Sequence, residues 1–147
     1  MNIKRNVLLN PGPSTTTDTV KMAQVVSDIC PREKEFQSIM APMRADLVKI
    51  VHGGEDYTSV LFCGSGTICI DITLNSLLDA GKKALVINNG AYSQRAVDVL
   101  KYYGLPVIDL QQPINALPDL NVIEETLKVN QDVGYVYFNL PDSGTNF

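Results

Sequence analysis

The sequence predicts an α/β layered fold on a mainly parallel sheet flanked by helices. Three observations carry that expectation. Short apolar runs of β character alternate with stretches of helical period, the order that parallel sheets take. Glycines stand where the helices should end. The 147 residues are 45% hydrophobic, enough to bury one core.

Leu8 to Thr17 reads as a loop, because Pro11-Gly12-Pro13 blocks regular structure and Ser14 to Thr17 can cap a helix. That helix is expected from about Asp18 to Ile29. A second starts near Pro31, which suits a first helical position. Phe36, Ile39, Met40, Met43, Leu47, Ile50 and Val51 recur at three- and four-residue steps, the pattern of a buried helical face. Pro42 should kink or split that helix, and Gly53-Gly54 ends it. Thr58 to Cys63 has the composition of a buried strand. Gly64-Ser65-Gly66-Thr67 comes next, then a helix with Ile70, Leu74, Leu77 and Leu78 on one side, closed by Gly81. Ala84 to Ile87 is the next strand, with Asn88-Asn89-Gly90 as the turn after it. Tyr92 to Tyr103 is helical and ends at Gly104; Pro106 to Leu110 is a strand. Asn121 and Glu124 have capping-box spacing for a helix to Lys128. Val133 to Phe138 is the last strand. The expected division is a loop-and-helix segment over 1–57 and an incomplete α/β large domain over 58–147. The chain stops in the loop after a strand, so a covering helix is missing and the domain is expected to be truncated.

A net charge of −4 gives no electrostatic ground for nucleic acid or a membrane surface as partner. No stretch approaches the roughly 18 apolar residues of a membrane span. The N-terminus lacks a secretory apolar run, so a cytoplasmic location is expected. Three cysteines without a CxxC and a single histidine, His52, speak against a disulfide framework or a metal site. Cys63 and Cys69 sit among apolar residues, where cysteine behaves as a small hydrophobe.

Gly64-Ser65-Gly66-Thr67 is the chemical centre of the sequence. Placed between a strand and a helix, it offers unpaired amides, the positive end of a helix dipole and two hydroxyls. Glycine lets an anion approach the backbone. A dinucleotide site needs GxGxxG, but Cys69 takes the third glycine position. A P-loop needs Gly-Lys followed by Ser or Thr, and a nucleophile elbow needs GxSxG; neither occurs. A single terminal phosphate remains as ligand, beside the plainer reading of a tight turn with a Ser/Thr cap. Asn88 to Arg95 forms a second signal on the same expected rim, where Tyr92 can stack on a flat heterocycle. For Tyr92 the plainer reading is an aromatic packed on the sheet. For Arg95 it is a solvated residue or a structural ion pair.

LLNPGPSTT (Leu8 to Thr16), YTSVLFCGSGT (Tyr57 to Thr67) and NNGAYSQR (Asn88 to Arg95) together resemble class V aminotransferases of the fold type I, pyridoxal-phosphate (PLP) scaffold. They are most like 2-aminoethylphosphonate–pyruvate transaminases; alanine–glyoxylate and serine–pyruvate transaminases share the plan. The resemblance implies the N-terminal part of the large domain, with Ser65, Gly66 and Thr67 at the PLP phosphate and Tyr92 stacked on the pyridine ring. It implies an active-site role near the dimer interface for the Pro11-Gly12-Pro13 loop. It also implies a homodimer, with 2-aminoethylphosphonate and pyruvate as small-molecule substrates. Leu140 to Gly144 departs from the family's Glu-Thr-x-Thr-Gly motif, where Ser143 could replace a threonine. The family's ring-nitrogen Asp, cofactor Lys and carboxylate-binding Arg are expected past Phe147. Lys4, Lys21, Lys34, Lys49, Lys82, Lys83, Lys101 and Lys128 stand in other contexts. No catalytic residue is therefore expected within these residues, and the chain alone is expected to be inactive. A non-enzymatic phosphate- or nucleotide-binding module and a structural remnant that binds nothing are the rivals.

Overall fold

The computed structural model describes residues 6–10, 12–114 and 116–139. Two compact units divide the chain, Met1–Leu61 and Phe62–Phe147. No helix among the described residues is long and apolar enough to cross a membrane.

The first unit holds α1 (Asp18–Met22) and α2 (Lys34–Ile50). Thr17 caps α1 by accepting from the Val20 amide. The helix is much shorter than the expected 18–29. Beyond Met22 the chain unwinds through tighter turns, Gln24 N–H to Lys21 O and Val25 N–H to Met22 O. Val25 and Val26 are exposed, so no packing offsets the low helix propensity of β-branched residues there. Pro31 is not the first residue of α2. It lies in a turn closed by Glu33 N–H to Cys30 O, and the helix begins three residues later. Pro42 does not split α2, which runs through it.

The apolar stripe of α2 is not a buried face. None of its residues is buried, and Ile39, Met43, Leu47 and Ile50 are exposed. The expected buried strand over Thr58–Cys63 is also absent. Val60, Leu61 and Phe62 are exposed and the segment joins no ladder. Side chains hold its first part instead. Arg44 Nε donates to Ser59 O and Nη2 to Thr58 Oγ1, both at 2.8 Å. Ser59 Oγ donates back to Arg44 O at 2.9 Å. A strand needs a partner strand to satisfy its backbone; here α2 bonds one backbone group of the segment, the Ser59 carbonyl, and the Thr58 and Ser59 side chains.

The second unit contains α3 (Gly66–Ser76), β1 (Lys83–Asn88), α4 (Ala91–Tyr102), β2 (Val107–Gln111), α5 (Leu120–Val129) and β3 (Val133–Tyr137). Its sheet has the order β2-β1-β3, with both pairings parallel. These strands and α4 lie within one or two residues of their expected places. Gly104, at φ +67°, ends the α4 region as expected. Gly81, at φ +79°, does not close α3, which stops at Ser76; it turns the chain into β1. The cap of α5 is Asp119, whose carboxylate accepts from the Asn121 amide at 2.9 Å, rather than Asn121.

β1 is the central strand and is buried from Ala84 to Asn88. Its alternation sorts the layers. Ala84 and Val86 pack with Leu74 of α3 and with Ala96, Val97 and Leu100 of α4. Ile87, of opposite parity, lines a hollow of 420 Å³ with Leu120 and Ile123 of α5 and Val136 of β3. Right-handed crossovers account for this. α4 leads from β1 to one edge, α5 leads back past β1 to the other, and the two fall on opposite faces. Tyr135 Oη donates to the Leu74 carbonyl at 2.9 Å, one of the last-turn acceptors that a helix leaves unpaired. That bond ties α3 to β3.

Leu100 is fully buried at the centre of this packing. Leu100→Ala is expected to lower unfolding stability by about 2–5 kcal/mol in urea melts. Burial raises the proton affinity of the Tyr135 and Tyr137 phenols above the ordinary value. Their folded pKa values exceed the unfolded value of 10.0, so above that pH the unfolded chain binds fewer protons than the folded one. Their contribution is intact below pH 10 and is lost as pH rises through the folded values. Urea melts across this range should show a decline that Tyr135→Phe and Tyr137→Phe flatten.

Candidate functional site

α3 opens on the glycine-rich turn. Ser65 is its N-cap, with extended backbone and no side-chain capping bond. That removes the Ser-cap form of the plainer reading and leaves the hydroxyl uncommitted to the helix. Ile68 N–H bonds to Ser65 O at 3.0 Å; the amides of Gly66 and Thr67 have no acceptor within the helix. A Cβ on Gly66 would meet no atom within 4 Å, whereas one on Gly64 would lie 2.8 Å from Ile68 Cγ2. Gly64 thus serves packing, and Gly66 leaves open space at the positive end of α3. The turn is exposed throughout. Residues 64–67 therefore fit a phosphate: open room, two free amides, two hydroxyls and a favourable dipole.

α4 starts at the carboxyl end of β1. Its first turns are fixed by polar groups. Asn88, buried at the strand end, donates through Nδ2 to Gln94 Oε1 at 2.8 Å and Asp109 Oδ1 at 2.9 Å. Gln94 donates on to Asp98, and Gln111 to Asp109, each at 2.8 Å. Ser93 Oγ, fully buried, donates to Asn89 Oδ1 at 2.9 Å. No buried side-chain polar atom is left without a partner among the described residues.

The two helix starts meet through Arg95. Its Nη1 donates to Thr67 Oγ1 at 3.1 Å, and its guanidinium carbon lies 5.6 Å from the centroid of the Tyr92 ring, within cation–π range. Thr67 and Tyr92 thus stand on one rim of the sheet. Both expected plainer readings of Arg95 are corrected: it is neither merely solvated nor, among the described residues, in an ion pair. The Arg95 link and the Asn88 hub were not read from the sequence. The available signals were a basic residue one helical turn after Tyr92 and an amide residue ending a buried strand. Cys63 and Cys69 are exposed free thiols rather than buried hydrophobes. Ser143 and part of the Pro11-Gly12-Pro13 loop lie outside the described residues.

No family model matches the chain. It is 36% identical over 131 residues to a bifunctional phosphonoacetaldehyde hydrolase/aminoethylphosphonate transaminase of Clostridioides difficile, spanning 88% of this chain and 20% of that protein. It is 33% identical over 138 residues to a 2-aminoethylphosphonate–pyruvate transaminase of Bacteroides fragilis, spanning 92% and 38%. The same enzyme of Vibrio vulnificus is 34% identical over 131 residues, spanning 88% and 35%. The chain thus spans between a fifth and two-fifths of the length of these relatives. Among solved structures it resembles an alanine–glyoxylate aminotransferase from Nostoc sp., with TM-score 0.81 and 22% identity over 94% of this chain and 36% of that one. A Thermus thermophilus aspartate aminotransferase gives TM-score 0.72 at 22% identity, over 80% and 33%. The chain is thus similar to part of these aminotransferases, and the expected fold class holds: among the described residues, a three-stranded parallel sheet with helices matches part of the aminotransferase fold.

The two glycines separate packing from ligand space. Gly64→Ala should destabilise the fold by about 1–3 kcal/mol through overpacking against Ile68. Gly66→Asp should abolish phosphate binding, because it places a like charge in the open space. Urea melts and a phosphate titration of each variant distinguish these outcomes.

Proposed function

We propose, from a chain whose sequence relatives and structural neighbours are aminotransferases, that these residues form the phosphate- and ring-binding part of a cytoplasmic, homodimeric PLP-dependent transaminase. Its reaction moves the amino group of 2-aminoethylphosphonate to pyruvate, giving phosphonoacetaldehyde and alanine. The observation that carries the reading is the adjacency of an open, positive helix start at Ser65–Thr67 to the Tyr92 ring, joined by Arg95. The names of the sequence relatives support the substrate pair.

Ser65 Oγ, Thr67 Oγ1 and the Gly66 and Thr67 amides would hold the phosphate, and the face of Tyr92 would orient the pyridine ring. Bound PLP supplies an electron sink for the carbon that loses its proton. The chain's own residues would contribute orientation, since a held phosphate and a stacked face would keep the cofactor in one pose for its substrate. None of the chain's lysines stands in the context that the family uses for proton transfer.

PLP should raise the melting temperature of the 147-residue chain, by an amount that grows with ligand concentration. Inorganic phosphate should do so more weakly, because it lacks the stacked ring. No alanine should form from 2-aminoethylphosphonate and pyruvate with this chain alone. An absent thermal shift with PLP would contradict the cofactor site. In an enzyme that joins these residues to a cofactor lysine, alanine from 2-aminoethylphosphonate and pyruvate is expected. Turnover of alanine with glyoxylate in its place would assign the other donor class.

A further inference from the structure

We infer that Arg95 is a positioning residue that couples the phosphate turn to the stacking ring, so that the two halves of the site bind PLP as one unit. The inference rests on the cofactor reading above and adds to it a residue without direct ligand contact. Arg95 stands on α4, one helical turn beyond Tyr92, and reaches across to α3. Its Nη1–H donates to Thr67 Oγ1. A hydroxyl whose oxygen accepts from a cation turns its own proton elsewhere. With Arg95 on the oxygen, the Thr67 proton is directed to another acceptor, and an anion in the open space beside Gly66 offers one.

The same guanidinium lies over the Tyr92 ring. A cation on an aromatic face restricts the ring's rotation and draws on its negative quadrupole. That contact lies on one side of the ring. Only a planar, multi-donor cation serves both partners at once. Lysine brings the charge but neither the fork nor the flat contact. No carboxylate neutralises Arg95 among the described residues, so its charge also adds to the positive potential at the start of α3.

The test titrates PLP and inorganic phosphate into the native chain, Arg95→Met, Arg95→Lys, Thr67→Val and the Thr67→Val/Arg95→Met double variant. Melting temperature without ligand and near-ultraviolet circular dichroism serve as fold controls. Arg95→Met should weaken PLP about tenfold, and inorganic phosphate less, since phosphate cannot use the ring. Arg95→Lys should recover only part of the PLP loss. In the Thr67→Val background the Arg95→Met penalty should shrink to less than about threefold, the mark of a coupled pair. A residue that only stabilises the fold would give additive losses. Failure of the native chain to bind PLP sinks the cofactor reading and this coupling with it. Native binding that Arg95→Met retains, full rescue by Arg95→Lys, or strict additivity with Thr67→Val overturns the role of Arg95 alone. If Arg95→Met does not fold, Arg95→Lys alone decides: the coupling requires it to bind PLP more weakly than the native chain.

Discussion

The site depends on one packing arrangement: α3 and α4 lie side by side on the Ala84/Val86 face of β1. Leu74, Val97 and Leu100 are buried between them and the strand. Close-packed side chains of this kind leave little freedom for one helix to slide along the other. Because β1 delivers the chain to α4 at its carboxyl end, the start of α4 is on that rim by connectivity. The burial of Leu74, together with the Tyr135 bond to its carbonyl, then brings the start of α3 to the same level. Neither the glycine-rich turn nor Tyr92 decides where it stands; the apolar contacts beneath do.

Polar groups refine what the packing sets. Asn88 ends the buried strand and would be costly there without partners. Its bonds to Gln94 and Asp109 join β1, α4 and β2 at the rim, and Ser93 is tied to Asn89 in the turn between. The first turn of α4 therefore has few alternatives, and Tyr92 and Arg95 are carried by a rigid segment. Binding groups on such a segment lose less entropy when a ligand arrives.

Much of the α/β unit was legible because its signals are local. The run Lys83–Asn88 is apolar in the manner of a strand covered on both faces, and Gly104 marks the end of α4 by a backbone angle that favours glycine. The candidate residues Ser65, Gly66, Thr67 and Tyr92 were legible as types in a pattern, while their adjacency needed tertiary contacts. The errors share a cause. Thr58–Cys63 has strand composition, yet pairing depends on a partner elsewhere in the chain, and the segment joins no ladder; Arg44 holds it at the Ser59 carbonyl. The stripe on α2 has helical period, but period states which side is apolar, not what covers it. Arg95 was ambiguous because a guanidinium reaches several residues, and sequence spacing does not say which way it turns.

The most direct measurement of the central claim is residue-resolved amide NMR of the chain during titration with inorganic phosphate. The account expects the largest, saturable shifts at the Gly66 and Thr67 amides, with smaller ones at Ser65 and along the first turn of α3. Shifts centred on the lysines at Lys82 and Lys83, or no saturable shift at Gly66 and Thr67, would contradict it.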